Sequence, residues 1–158
     1  MMRSKNTLKA FTMIEVLIVI VILGVLAAVA IPKFAGASDN AKSSAVQSTV
    51  AGVRAAIATY RTSAVISGNA PYPTLAQLSD GSVLKFDIPV NPFSDVGGVQ
   101  QVSQAQASVR GVSNSTVVGW NYYVDNNANP PEAIFYANSL DQTQVSDGSG
   151  GTQSANEL

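Results

Sequence analysis

The sequence predicts an α+β protein: a long N-terminal helix laid on a small antiparallel β-sheet. Three observations predict it. "KAFTMIE" (residues 9–15) opens a run of sixteen uncharged residues, "VLIVIVILGVLAAVAI". Beyond that run, apolar residues recur in steps of three or four as far as Ala64. Near the C-terminal end, "TVVGWNYYVDNNANPPEAIFYANS" sets two aromatic, β-branched runs around a polar, proline-bearing turn at Asn126–Pro131, the pattern of an antiparallel hairpin.

The apolar run comes first. Phe11 to Ile31 is 21 residues, about 31 Å of helix, enough to span the hydrocarbon core of a bilayer. Two other readings compete with a membrane span. A secretory signal would be cut after Ala28-Val29-Ala30. A buried core helix would need far more apolar surface elsewhere in the chain. Glu15 separates span from signal. A carboxylate within a bilayer helix costs roughly 2.5–3.5 kcal/mol, so its presence asks for a partner. A secretory segment gains nothing from an acid, whereas a membrane segment that packs against copies of itself can use one.

The helix is expected to continue to about Ile66. Phe34, Ala37, Ala41, Ala45, Val46 and Val50 begin one stripe of period 3.6, which Val53, Ile57, Tyr60 and Ala64 extend. Lys42, Arg54 and Arg61 fall largely off that stripe. Its many alanines suit close approach to a sheet of the same chain or to neighbouring helices. Gly24, Ala27, Ala28 and Ala30 permit close helix contact in lipid. Pro32, which lacks an N–H and crowds the carbonyl of Ala28, is expected to kink or break the helix at about 3 kcal/mol. Gly24 costs about 1 kcal/mol relative to alanine, so the segment from Gly24 to Pro32 is the one expected to lose helical structure on rearrangement; a mild membrane kink of no consequence is the alternative reading.

Composition excludes several classes of function. The 158 residues include no cysteine and no histidine. Disulfides, thiolate chemistry, the usual general base and the commonest metal ligand are therefore absent. No spacing of Asp, Ser and Tyr suggests a catalytic constellation, so an enzyme is the weakest reading. Arg3, Lys5 and Lys9 precede the apolar run without an acid, and after residue 62 eight acids face only Lys85 and Arg110. The positive-inside rule then keeps the N-terminus cytoplasmic and carries the remainder across the membrane. Two bases in residues 63–158 are too few for clustered phosphate contacts, and no nucleic-acid partner is expected.

Residues 67–140 read as a globular β head and 141–158 as a flexible polar tail. One helical turn is expected around Leu75–Leu78, a short strand in "VLKFDIPVNPF", and edge strand and loop in residues 97–119. Trp120, Tyr122, Phe135 and Tyr136 are expected to fill or edge the core against the helix stripe. "SDGSGGTQSANEL" has too little apolar area to offset ordering entropy. Asn114-Ser115-Thr116 is a glycosylation sequon, read as chance in a Ser/Asn-rich loop.

The basic leader, "KAFTMIE", the apolar helix and its proline resemble the N-termini of type IV pilins and of type II secretion pseudopilins. The resemblance is dense over residues 3–35 and looser to residue 66. It implies a pilin-like fold with a leader at 1–10, a transmembrane and assembly helix at 11–32 and an amphipathic helix at 33–66. It implies cleavage between Ala10 and Phe11 by a prepilin peptidase that also N-methylates Phe11. Ala10 departs from the family's usual glycine. The resemblance also supplies a partner for Glu15, the Phe11 ammonium of a neighbouring subunit, and places Gly24 and Pro32 at the family's helix-breaking positions.

The implied function is a structural subunit of a type IV pilus-like filament, in adhesion or motility. A type II secretion pseudopilin and a minor pilin with a binding head are the alternatives. Implied partners are further copies of the chain, the peptidase, an inner-membrane assembly platform with its ATPase-driven machine, and minor pilins or pseudopilins. The protein would cross the inner membrane once, with its head periplasmic, before joining an extracellular pilus or periplasmic pseudopilus. No cofactor is expected. Some pseudopilins hold calcium near the C-terminus, which makes Asp141 and Asp147 weak candidates, although no loop motif matches.

Overall fold

Helix α1 sets the architecture. The structure, a computed structural model, describes residues 11–158, and in it α1 runs from Met13 to Ile66 over 54 residues. The leader at 1–10, with Ala10, lies outside the described residues. The helix ends where glycine allows it to. Gly68 takes a left-handed φ of 72°, its N–H bonds Val65 O, and Asn69 N–H reaches back to Ala64 O at 2.9 Å. That pair of bonds is a Schellman cap.

The chain divides into two units between Ser38 and Asp39, and α1 passes through both. The division falls six residues beyond Pro32, because the first members of the expected stripe, Phe34, Ala37 and Ala41, are exposed. Burial begins at Ser43 and continues through Val46, Val50, Val53, Ile57 and Ala64. Neither Gly24 nor Pro32 ends the helix: α1 continues through both. Proline removes one N–H from the ladder, and the remaining bonds of a long helix can carry that loss.

In the second unit, α2 (Leu75–Ser79), β1 (Val99–Gln101), α3 (Gln104–Ser108), β2 (Trp120–Asp125), β3 (Glu132–Ala137), β4 (Gln142–Ser146) and β5 (Thr152–Ser154) follow in order. β2 and β3 form the expected hairpin, in register from Trp120 opposite Ala137 to Asp125 opposite Glu132. The alternation of strand side chains gives this hairpin two covered faces. Trp120, Tyr122, Phe135 and Ala137 pack with the α1 stripe, and the Trp120 and Phe135 rings stack at 5.6 Å. On the other face Tyr123 and Tyr136 pack with Val102 and Ala107.

The head departs from expectation in three places. β1 pairs parallel to β2, so the three-stranded sheet is mixed, not wholly antiparallel. Beside it, α3 was unforeseen; Ser103 and Gln106 form a capping box at its start. Residues 83–93, expected to hold a short strand, form none. Pro89 and Pro92 offer no N–H for a ladder, and Asn91 instead makes one isolated bridge to Val96.

Residues 141–158 correct a larger expectation, because they are built into the fold. β4 and β5 pair antiparallel, and Thr143, Ala155 and Asn156 are buried. Polar bonds hold them where apolar area is scarce. Gln144 N donates to Ser43 Oγ at 2.9 Å, Asn156 N to Ser139 O at 3.0 Å, and Asn156 Nδ2 to Arg110 O at 2.8 Å. Composition counted the missing apolar contacts and could not count these.

Candidate functional site

The N-terminal end of α1 brings together the residues that the sequence singles out. Phe11, Glu15, Val16 and Val19 line an open concavity of ≈ 260 Å³. Glu15 is not alone there. Its Oε2 accepts from Thr12 N and Thr12 Oγ1, each at 2.8 Å, while Thr12 Oγ1 accepts from Glu15 N at 3.3 Å. Thr12 and Glu15 thus form a reciprocal capping box that satisfies helix-start N–H groups and sets a negative charge against the positive end of the helix dipole. The partner that Glu15 asks for is thus met in part by a residue of its own chain. The signal was present in the sequence as Thr-x-x-Glu ahead of an apolar run. Phe11, the expected site of N-methylation, precedes the helix and is 86% exposed.

The helix beyond this cap presents an unusual surface. Every large apolar side chain from Ile14 to Ile31 is between 50% and 67% exposed. These residues occupy all faces of the helix, since "VLIVIVIL" leaves no polar face. α1 is long and apolar enough to cross a membrane. Gly24 has open space around the position a Cβ would take, so a neighbouring helix could approach closely there.

The remaining candidates are scattered. Asp141 and Asp147 stand at opposite ends of β4, about 20 Å apart at the rise of a strand, and do not converge on one ion. Asp147 Oδ1 instead accepts from Ser149 N at 2.7 Å and Gly151 N at 2.9 Å. Those bonds hold its carboxyl below the usual carboxylate range. Among the described residues, no group of three or more Asp or Glu side chains is placed to hold a metal. Asn114 sits exposed in a turn with φ 55°. Sequence reasoning missed Arg54, which leaves the stripe to donate from Nε and Nη2 to Phe135 O at 3.2 and 3.0 Å. Only the fold brings β3 to it.

An apolar, capped helix passing into a helix-and-sheet head is the α+β architecture of pilin-like proteins, and the chain resembles type IV pilins and type II secretion pseudopilins. Residues 6–31 match the prokaryotic N-terminal methylation motif. The chain is 50% identical over 50 residues to the type IV narrow pilus major component PilA5 of Thermus thermophilus, covering 32% of this chain and 43% of that protein. It is 29% identical over 85 residues to the type II secretion system core protein G of Klebsiella michiganensis, covering 54% of this chain and 56% of that protein. The chain thus matches about half the length of these curated relatives. No solved structure matches the chain.

Proposed function

We propose that this protein is the structural subunit of a type IV pilus-like filament, cut between Ala10 and Phe11, N-methylated at Phe11 and polymerised through the first half of α1. One observation carries the reading: a capped helix whose large apolar side chains, from Ile14 to Ile31, are at least half exposed on every side. Such a surface is at home first in a bilayer and then among the same helices of other copies.

Glu15 supplies the register. Both of its contacts to Thr12 fall on Oε2, so the carboxylate can keep its cap and still receive the Phe11 ammonium of a neighbour on Oε1. Monomethylation preserves that positive charge. A buried ion pair adds little net stability, but one buried partner left alone costs about 3–5 kcal/mol. Only a subunit docked at the right rise avoids that cost. Within the assembled filament, Gly24 and Pro32 bound the segment that would lose helical bonds most easily. Before assembly the chain would cross the inner membrane once with its head periplasmic, served by the peptidase and an ATPase-driven platform.

A second reading, a pseudopilin of a type II secretion system, is favoured by the similarity to core protein G, which runs over 85 residues and so beyond the apolar helix. The two readings differ in where the filament stands, outside the cell or within the periplasm.

Mass spectrometry of the mature N-terminus tests the processing. Methylated Phe11 supports the proposal, a start at Ile31 selects a secretory signal, and a retained leader selects a plain anchor. Glu15→Gln is expected to insert normally while filament yield falls at least tenfold; normal yield refutes the register role.

A further inference from the structure

The mixed sheet has two edges, and only one of them is guarded. Phe135 O, which faces out of β3, accepts from Arg54 Nε and Nη2. The β1 edge has no such cover. Trp120 N donates to Gly98 O at 3.1 Å and Val102 N to Tyr122 O at 3.0 Å. In a parallel ladder those bonds turn both main-chain groups of Gln100 toward β2 and those of Val99 and Gln101 away from it. Among the described residues, no hydrogen bond reaches the N–H or C=O of Val99 or Gln101. Edge strands are commonly protected by charge, yet residues 96–109 carry none.

A cavity adjoins the bare edge. Its volume is ≈ 550 Å³, and it is lined by Gly98 and Val99 at the start of β1, by Asp87 and Ile88, and by Leu78 and Leu84 of the core. Strand spacing of about 4.8 Å, sheet spacing of about 10 Å and a rise of about 3.3 Å give about 160 Å³ per residue of packed strand. The cavity thus has room for about three residues of strand, and β1 is three residues long.

The head does not fill this slot from its own chain. Asn91 N donates to Val96 O at 2.8 Å, but before that bridge residues 87–90 pair with no strand. Pro89 keeps them from zipping onto β1, because it has no N–H and its carbonyl accepts from Trp120 Nε1 at 2.8 Å. The other candidate strands of the head are committed. β2 pairs with β3 and β4 with β5, and both main-chain groups of Tyr72 are held by Asn126.

We infer that β1 is a docking edge: an extended segment of a different protein enters the slot and adds to the sheet as a fourth strand, bonded to Val99 and Gln101. The slot defines the chemistry of that segment. Its main-chain N–H and C=O groups meet the edge, and its alternate side chains, apolar and uncharged, meet Leu84 and Ile88. Lys85 and Asp87, both exposed, stand beside the slot with opposite charges, so no net charge is selected. Such docking needs no filament.

NMR of the isotope-labelled, full-length chain in detergent tests this with an end-blocked peptide of alternating Val and Thr. The peptide is expected to shift the amides of Val99 and Gln101 and to protect them from exchange. N-methylation of one alternate set of its residues is expected to weaken binding at least tenfold, and of the other set to leave it unchanged. Equal effects from the two sets mean a groove without edge pairing and overturn the inference, as does no binding at millimolar peptide. Gln101→Pro removes an outward N–H and leaves the ladder to β2 intact. It is expected to weaken binding at least tenfold with head melting unchanged, while Gln101→Ala binds normally; normal binding by Gln101→Pro overturns the inference. Where Gln101→Pro lowers head melting, the N-methylated peptides decide alone. Protection of Val99 and Gln101 that rises with protein concentration, without peptide, assigns the edge to a second copy and overturns the assignment to a different protein.

Discussion

Two stretches of α1 differ in what their apolar residues find. From Ile14 to Ile31 each large apolar side chain keeps at least half its surface exposed, whereas Val46, Val50, Val53 and Ile57 are at most 6% exposed. Helix propensity does not explain the contrast, since both stretches are rich in β-branched residues. Pattern does. In the later stretch the apolar residues form one stripe with Ser, Thr and Gln around the rest, which a single sheet can cover. In the earlier stretch they occupy every face, and only a surrounding apolar phase can cover them. One element thus contains a half that its own fold covers and a half that its own fold leaves exposed.

The contrast can be broken from either side. The largest effect is expected on the completed side. Trp120 is fully buried, stacks on Phe135, and donates from Nε1 to Pro89 O at 2.8 Å. Trp120→Ala should cost about 3–5 kcal/mol, read as a lower head melting temperature, with membrane extraction behaviour unchanged. Leu23→Arg acts on the other side. It should weaken insertion by about 3 kcal/mol, read as release by alkaline extraction, with head melting unchanged. If either variant moved both readouts, the two stretches would be one cooperative body and the contrast would fail.

These residues also show how far the sequence reached. The β2–β3 hairpin was legible because its alternation and turn are local. The extent of α1 was legible from its period, whereas the cap that holds Glu15 went unread although Thr-x-x-Glu encodes it. The parallel β1–β2 pairing was not legible, because it joins residues about twenty apart across an irregular segment. That segment is fixed by side-chain amides: Asn91 Nδ2 donates to Gly119 O, Asn121 Nδ2 to Asn138 Oδ1, and Asn138 Nδ2 to Val118 O. Composition marks such asparagines as loop formers, yet all three are buried.

Within the completed head, pH separates the core from the β4–β5 hairpin. Tyr122 is buried and its hydroxyl donates to Pro73 O at 2.7 Å. Burial raises its phenol above the ordinary value. The unfolded chain gives up that proton near pH 10 while the folded chain keeps it. Its contribution is therefore complete below about pH 10 and is lost as pH rises further. Tyr122→Phe should cost about 1 kcal/mol and flatten this alkaline decline in a melting series.

Asp147 runs the other way, with the smallest effect. Amides of its own loop lower its pKa, so its contribution is present above about pH 4 and fades as pH falls through the depressed folded value. The group is exposed, so the loss should remain local: amide exchange in β4 and β5 should quicken in acid before exchange in β2 and β3 does. Asp147→Asn should remove that acid dependence and leave the Tyr122-linked alkaline decline in place. Acid that quickened exchange in both hairpins together would mean that residues 141–158 are fused into the core through the part-buried polar bonds to Ser43, Ser139 and Arg110.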